Sequence, residues 1–174
     1  MTFILFVFCC FLIWDKMSHS SGQYSGDHKW CLLRRYSIKV SNKPYLIRWI
    51  IFKTPIGGLM VHKFLSSDVD KELHNHPFPF ITFVIKNGYT EEYYENEEKK
   101  TRVIQAPNIR FNPSGHTHRV TINEDKKPIS IVLRGPKVRE WGFFTECLTP
   151  KGIVKKWEHW KDFAARDRDW ETLY

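Results

Sequence analysis

"ELHNHPFPFITFVIKNGYTEEYY", residues 72–94, decides the fold. It places two histidines one residue apart before a long run of β-branched and aromatic residues, a composition typical of pleated strands. Successive side chains of a strand point to opposite faces, so His74 and His76 share a face, which in a barrel is the interior. Pro77 and Pro79 each remove an amide donor and predict an edge or a bulge beside the histidines.

Short apolar runs separated by turn residues continue on both sides of this stretch. They include residues 45–53, 59–65, 101–107, 116–122 and 127–136. Roughly eight to ten strands at this spacing predict an all-β sandwich or barrel. Near the C terminus, Trp157, Trp160 and Phe163 or Ala164 recur every three to four residues. This period predicts a short helix that packs on the barrel.

The composition fits one domain. The chain has 174 residues and is 42% hydrophobic, which is enough for one well-packed core and too little for two. We expect a flexible or apolar N-terminal segment at 1–29, a β-barrel domain at 30–165 and a tail at 166–174. The acidic segment 90–100, TEEYYENEEKK, is interpreted as a solvated hairpin with charge-matched ends.

Charge and cysteine usage narrow the class of protein. The net charge of +8 is spread along the chain and forms no dense basic tract, which argues against nucleic-acid binding. The four cysteines form neither a CxxC pair nor a regular framework, so a reducing compartment fits best. Residues 3–14 are apolar but shorter than the roughly 20 residues that span a bilayer. We interpret residues 1–16 as an extension ahead of a start at Met17, with a membrane-associated tail or a secretion signal as alternatives.

A second pair of histidines lies in "NPSGHTHRV", residues 112–120. Together, His-x-His at 74–76, Gly88 and Pro-x-Gly-x-x-His at 113–118 resemble the two motifs of the cupin superfamily at their usual internal spacing. The motif spacing favours His118 over His116 as the third member of the set.

The match to the cupin motifs has three differences. The motif's glutamate position is Ile81, so the usual carboxylate ligand is missing, and Glu72 is weighed as a substitute because it is in phase with the histidine pair. Pro107 stands where the second motif opens with glycine, and the trailing asparagine is displaced to Asn123.

Residues 30–163 show a closer resemblance to a family of small, mostly uncharacterised cupins from bacteriophages and bacteria. Its hallmarks are Leu-His-x-His-Pro, here residues 73–77, and Gly-Pro-x-x-Arg-x-Trp-Gly-Phe, here residues 135–143. The resemblance implies a single-domain RmlC-like jelly-roll barrel in the cytoplasm of a bacterium or an infected host cell, but it implies no reaction. By analogy with other cupins we expect a homodimer, with residues 45–52 as its edge strand.

Three neutral imidazoles on one face suit a divalent transition metal and leave coordination positions open. We therefore predict that His74, His76 and His118 bind one ion, with Fe(II) favoured and Zn, Ni or Mn as alternatives. Iron would support dioxygenase-like chemistry, as in three-His cupin dioxygenases, and zinc or nickel would support Lewis-acid chemistry such as isomerisation. A metal-free cupin that uses these histidines for hydrogen bonds is the alternative.

The predicted substrate is a small anionic molecule. Phe78, Phe80 and Thr82 continue the inward parity and are expected to line its site. His116 is expected at the mouth as an acid, a base or a replacement ligand. Arg139, with Arg134 and Lys137 in the same segment, is expected to clamp a carboxylate or phosphate. His62 is interpreted as structural.

Two other function classes remain open. One is a non-catalytic module that binds a small ligand or a nucleotide, and the other is a phage-type accessory protein for nucleic acid or assembly. Contact with a membrane is expected only if residues 3–14 belong to the natural chain.

Overall fold

The structure, a computed structural model, describes residues 30–40, 43–68, 70–96, 98–149 and 152–166. Within these ranges the chain forms twelve strands and one helix: β1 (Cys31–Val40), β2 (Lys43–Thr54), β3 (Gly57–Phe64), β4 (Leu73–His74), β5 (Phe80–Lys86), β6 (Gly88–Glu95), β7 (Glu98–Gln105), β8 (Asn108–Asn112), β9 (His118–Thr121), β10 (Ile129–Arg134), β11 (Gly142–Thr149), β12 (Gly152–His159) and α1 (Trp160–Arg166). The predicted N-terminal segment 1–29 and residues 167–174 of the predicted tail lie outside the described residues.

The strands form two antiparallel sheets of six strands each. The first sheet has the order β1-β2-β3-β10-β5-β8, and the second has the order β12-β11-β4-β9-β6-β7. Strand β10 lies between β3 and β5, and β9 lies between β4 and β6, so strands distant in sequence interleave in both sheets. The eight strands β3–β10 have the connectivity of a jelly roll, with β3-β10-β5-β8 in one sheet and β4-β9-β6-β7 in the other. The predicted all-β, single-domain jelly roll is confirmed.

Alternation along the strands separates the interior from the surface. In β5, Phe80, Thr82 and Val84 are at most 8% exposed, whereas the three alternate side chains of that strand are 36–40% exposed. Met60 of β3 and Val132 of β10 are register partners and are also buried. Burying each such apolar side chain contributes about 1.5–3 kcal/mol to folding.

The outer face of the first sheet is apolar as well. Ile109 and Phe111 of the edge strand β8 are 71% and 66% exposed, and they lie beside Phe83 and Ile81 of β5. Both faces of this sheet therefore carry aromatic and branched side chains, so the hydropathy of β5 alone does not define an inner face.

Residues 45–52, predicted as a dimer edge, form most of β2. This strand is hydrogen-bonded to β1 on one side and to β3 on the other, so it is an internal strand. The edge prediction is wrong because β1 takes that position. Homodimerisation itself remains a prediction.

The C-terminal hairpin β11–β12 extends the second sheet, and α1 packs against it. Phe163 of α1 stacks on Phe143 of β11 with 4.1 Å between ring centroids, and both side chains are 2% exposed. The predicted helix is present but begins at Trp160, whereas Trp157 belongs to β12. In the described part of the chain, no helix combines the length and apolar character needed to cross a membrane.

Candidate metal centre

The three histidines predicted as metal ligands lie together on the second sheet. His74 ends β4 and is the register partner of His118, which begins β9, and His76 follows two residues after His74. The ring centroids lie 5.0–5.2 Å apart. One nitrogen from each ring falls within 4.8 Å of the other two. The side chains are thus close enough to share one ion.

The backbone between the two neighbouring histidines is held by Asn75. Its amide N–H donates to the Gly142 carbonyl at 3.1 Å, and its side-chain Oδ1 accepts from the Gly142 N–H at 2.9 Å. Just beyond His76, the Pro77 carbonyl accepts from the Val138 N–H at 2.8 Å. These bonds hold the backbone of the segment 75–77, which lies outside the regular strand β4.

Glu91 of β6 anchors the third histidine. Its Oε1 lies 2.5 Å from His118 Nδ1 and 2.9 Å from His116 Nε2, and its Oε2 accepts from Arg102 Nε at 2.6 Å. Glu91 is only 2% exposed. The interpretation of this acidic segment as entirely solvated is therefore wrong at Glu91, because the strand turns this side chain inward.

The Glu91 carboxyl is ionised. Burial acts to raise its pKa, but hydrogen bonds from His116 and His118 and the Arg102 guanidinium hold the pKa far below its usual range. A carboxylate only accepts hydrogen bonds, so the ring nitrogens that contact it carry protons. His118 therefore donates through Nδ1, and its other ring nitrogen, Nε2, lies 2.8 Å from His76 Nε2.

The other two imidazoles are neutral at physiological pH. Burial lowers the pKa of His74 to about 4, with the nearby charges of Asp68, His118 and His116 as smaller influences. Burial also lowers the pKa of His76 well below 6.5, and the neighbouring histidines act in the same direction. Neutral imidazole is the form that binds metal ions.

Two overlapping groups of side chains have the ligand types of a metal site within the described residues. The first is His74, His76 and His118, and the second is Glu91, His116 and His118. In the second group the carboxylate already accepts from both histidines and from Arg102. The first group therefore fits a divalent ion better, and Glu72 belongs to neither.

The predicted substrate-binding residues divide between the interior and the surface. The Phe80 ring lies 4.7 Å and the Phe78 ring 6.3 Å from the His76 ring, and Thr82 is 6% exposed one step farther along β5. Arg139 is exposed, and its Nη1 lies close over Gly115, where an added Cβ would approach it to 3.1 Å. A contact of any of these residues with substrate remains a prediction.

Other polar residues singled out from the sequence have local roles. Arg134 is 8% exposed, donates to the Thr54 carbonyl at 2.8 Å and lies 5.0 Å from the centroid of the Phe78 ring. Lys137 is exposed and pairs with Glu140 at 2.6 Å. His62 belongs to neither group of potential ligands, and its Nε2 accepts from Arg48 Nε at 3.0 Å, which agrees with a structural role.

No family model matches the chain, and no curated protein matches it in sequence. Solved structures that it resembles include an RmlC-like cupin from Shewanella frigidimarina NCIMB 400, with 17% identity, a TM-score of 0.43 and coverage of 67% of this chain and 92% of that chain. Hydroxypropylphosphonic acid epoxidase from S. wedmorenis has 16% identity, a TM-score of 0.45 and coverage of 58% and 55%. Oxalate decarboxylase from Lactobacillus farciminis has 14% identity, a TM-score of 0.47 and coverage of 63% and 32%.

These similarities concern the fold alone. The chain spans 55% of the length of the epoxidase chain, and all three identities are below one residue in five. The finer resemblance to phage and bacterial cupins remains a prediction.

Proposed function

We propose that this protein is a metal-binding cupin in which His74, His76 and His118 hold one divalent transition-metal ion. The observation that supports it most strongly is the convergence of three imidazole nitrogens within 4.8 Å, drawn from two segments 42 residues apart. Metal–nitrogen bonds of about 2.0–2.1 Å require ligand nitrogens roughly 3 Å apart, close to the 2.8 Å between the Nε2 atoms of His76 and His118.

The carboxylate of Glu91 prepares His118 for this role. By accepting the Nδ1–H bond it fixes the ring orientation and the tautomer, and it makes the opposite nitrogen more basic. Arg102 and His116 in turn hold the carboxylate in place. The sequence resemblance gave no carboxylate ligand, and in this proposal the carboxylate supports a ligand instead of binding the ion.

Three histidine ligands would leave positions open for a small molecule. Fe(II) is the proposed ion, with Zn, Ni or Mn as alternatives, and when bound it would supply dioxygenase-like or Lewis-acid chemistry. The chain's own residues would then bind and orient a small anionic substrate. Phe78 and Phe80 would shield its apolar part beside His76, Thr82 would offer a hydroxyl, and His116 and Arg139 would contact its polar part.

Metal titration of the metal-free protein tests the proposal. We expect Fe(II), Zn(II) or Ni(II) to bind at one site per chain in calorimetry, and His76→Ala to lose most of that affinity. His159→Ala is the matched control, because His159 lies in β12 and pairs with Glu140 at 3.7 Å, apart from both groups of potential ligands. Equal affinity in wild type and His76→Ala would refute the three-histidine site.

One contact also favours a second candidate, a binding module without metal. The Nε2 atoms of His76 and His118 are at hydrogen-bond distance, so one ring can donate to the other. In that case the histidines brace the interior, and the protein binds a small ligand without turnover. Metal titration would then show no site that His76→Ala removes, whereas ligands would still stabilise the metal-free protein.

A further inference from the structure

Strand β8 carries two inward-facing polar side chains, Asn108 and Arg110, that the proposed metal centre does not use. They alternate with Ile109 and Phe111, which are 71% and 66% exposed on the outer face. Side chains alternate across a strand, so Asn108 and Arg110 point to the interior of the jelly roll. Thr82, the register partner of Arg110 on β5, is 6% exposed on the same inner face.

The charge of Arg110 has no counterion in the part of the chain that the structure describes. Its Nε is shielded from solvent and has no hydrogen-bond partner. Arg102 differs, because its Nε donates to Glu91 at 2.6 Å. A shielded N–H donor without a partner costs free energy, and an anion bound beside it would remove that cost.

Asn108 presents a second unpaired polar atom on the same face. Its Oδ1 is shielded and accepts no hydrogen bond. Asn108 and Arg110 occupy successive inward positions of β8, about 7 Å apart along the strand. A small molecule with an anionic group and a nearby O–H or N–H donor would satisfy both side chains at once.

The inner position of Arg110 is close to the proposed metal centre. Its neighbour Thr82 is one inward step along β5 from Phe80, and the Phe80 ring lies 4.7 Å from the His76 ring. A molecule bound to Arg110 would therefore lie on the same inner face as the Phe80 ring that contacts His76.

The facing sheet gives the same location. Burial and the charge of Glu91 raise the pKa of the Tyr89 phenol, and the Arg110 guanidinium acts in the opposite direction, so Arg110 lies near Tyr89. Tyr89 is one inward step along β6 from Glu91, the residue that holds His118.

We propose that Arg110 is the residue that binds the oxyanion group of the substrate, a carboxylate or a phosphate, and that Asn108 accepts a hydrogen bond from the same molecule. The planar guanidinium offers two parallel N–H donors that match either group. The inference deepens the proposed function by naming a substrate class, and it rests on that function only for the placement of the molecule beside the three histidines. The anion contact itself needs no metal ion.

Anion titration of the metal-free protein tests this assignment. We use inorganic phosphate and glycolate as probes and follow the unfolding midpoint and calorimetric affinity. Each of the two probes tests whether Arg110 contributes to binding. The ratio of the phosphate affinity to the glycolate affinity distinguishes phosphate from carboxylate as the natural group. We expect Arg110→Met to weaken binding of the preferred anion at least about tenfold, the range of a lost charge-assisted pair. Asn108→Ala should weaken glycolate, which has a hydroxyl donor, more than acetate.

Without any anion, Arg110→Met should raise the unfolding midpoint, because it removes a shielded N–H donor that has no acceptor. The matched control is Arg119→Met, since Arg119 lies on the outer face of β9 and pairs with Glu92 at 3.4 Å. This variant should retain anion affinity. Arg110→Lys keeps the positive charge but lacks the two parallel N–H donors of the guanidinium, so it should bind the anion with intermediate affinity. This variant serves as a folded reference if Arg110→Met does not fold.

The two proposals fail separately. Anion affinity that is equal in wild type, Arg110→Met and Arg110→Lys would overturn the role of Arg110 even if the histidines bind metal. Loss of anion affinity in Arg110→Met, together with no metal site, would support the role of Arg110 and refute the metal centre.

Discussion

Glu91 connects the proposed ligands to the rest of the molecule. One buried carboxylate accepts from two histidines and one arginine, and each of the four side chains comes from a strand or from the turn before β9. Since the carboxylate is ionised, it sets the tautomer of His118. The chemistry of the candidate site therefore depends on a residue that binds no ion itself.

Replacing Glu91 by glutamine should weaken metal binding without removing a ligand. A glutamine keeps the shape of the side chain but loses the charge that orients His118, and losses of this kind are about 10- to 100-fold in affinity. Calorimetric titration with Zn(II) measures the change. Glu92→Gln is the control, because Glu92 is the next residue, points to the outer face and pairs with Arg119. A Glu91→Gln variant with wild-type affinity would show that the carboxylate does not support a ligand.

His62 predicts how stability depends on pH. Burial, and then the Arg48 guanidinium, lowers the pKa of His62 well below 6.5. The unfolded chain therefore binds a proton on His62 near pH 6.5, and the folded chain does not. The contribution of His62 to the free energy of unfolding is thus fully present above pH 6.5 and is lost as the pH falls below it. The loss from this residue is at most about 1.4 kcal/mol per pH unit.

His62→Gln should flatten this acid-side loss. Glutamine keeps an acceptor for Arg48 and does not titrate, so between pH 6.5 and 5 the variant should lose stability less steeply than wild type in urea unfolding. Parallel stability profiles for the two proteins would contradict a neutral, buried His62.

For single residues, the sequence predicted that three histidines lie together, but it did not predict that Glu91 holds one of them. Side-chain parity and motif spacing brought His74, His76 and His118 together correctly as neighbours. Glu91 was hidden in a run of acidic residues that resembles a solvated turn. Its parity was only a weak signal, since Glu91 shares a strand face with Tyr89 and Tyr93, whereas Tyr94 lies on the opposite face.

The C-terminal elements support the back of the candidate site. Phe143 of β11 is the register partner of His74, with 5.9 Å between ring centroids, and Phe163 of α1 stacks on Phe143. The helix thus covers a part of the core that touches a proposed ligand. A helix of seven residues is too short to be stable alone, so this packing is what holds it.

Phe163→Ala should destabilise the fold by about 3–5 kcal/mol, because it removes a buried ring and leaves a cavity. Phe111→Ala is the matched control, since Phe111 is 66% exposed and its loss should change stability by less than about 0.5 kcal/mol. Chemical denaturation measures both. A small effect of Phe163→Ala would show that α1 is not part of the cooperative core.

Element boundaries were harder to predict than element types. Trp157 was assigned to the helix because tryptophans recur at three-residue spacing, but pairing with β11 extends β12 to His159 and delays the helix. In β5 both faces are apolar, so hydropathy did not distinguish inside from outside. Phe80 and Thr82 share the even-numbered parity of His74 and His76, and this parity correctly placed both on the buried face.

At the scale of the whole molecule, the jelly roll explains why distant segments meet. Strand β9 pairs with β4 and β6 because the chain crosses between the two sheets, and this crossing brings His118 opposite His74. Alternating short strands predicted such a fold from the sequence, but strand order is set by packing between segments far apart in the chain. The position of Arg110 beside Thr82 is one result that no local pattern could give.

Metal content tests the central claim most directly. The protein is purified without oxygen and without chelators, and its metal is quantified by elemental analysis beside that of His118→Ala and His159→Ala. We predict close to one divalent transition-metal ion per chain in wild type and in His159→Ala, and only traces in His118→Ala. A wild-type protein that carries no more metal than His118→Ala, also after reloading with Fe(II) or Zn(II), would refute the three-histidine centre.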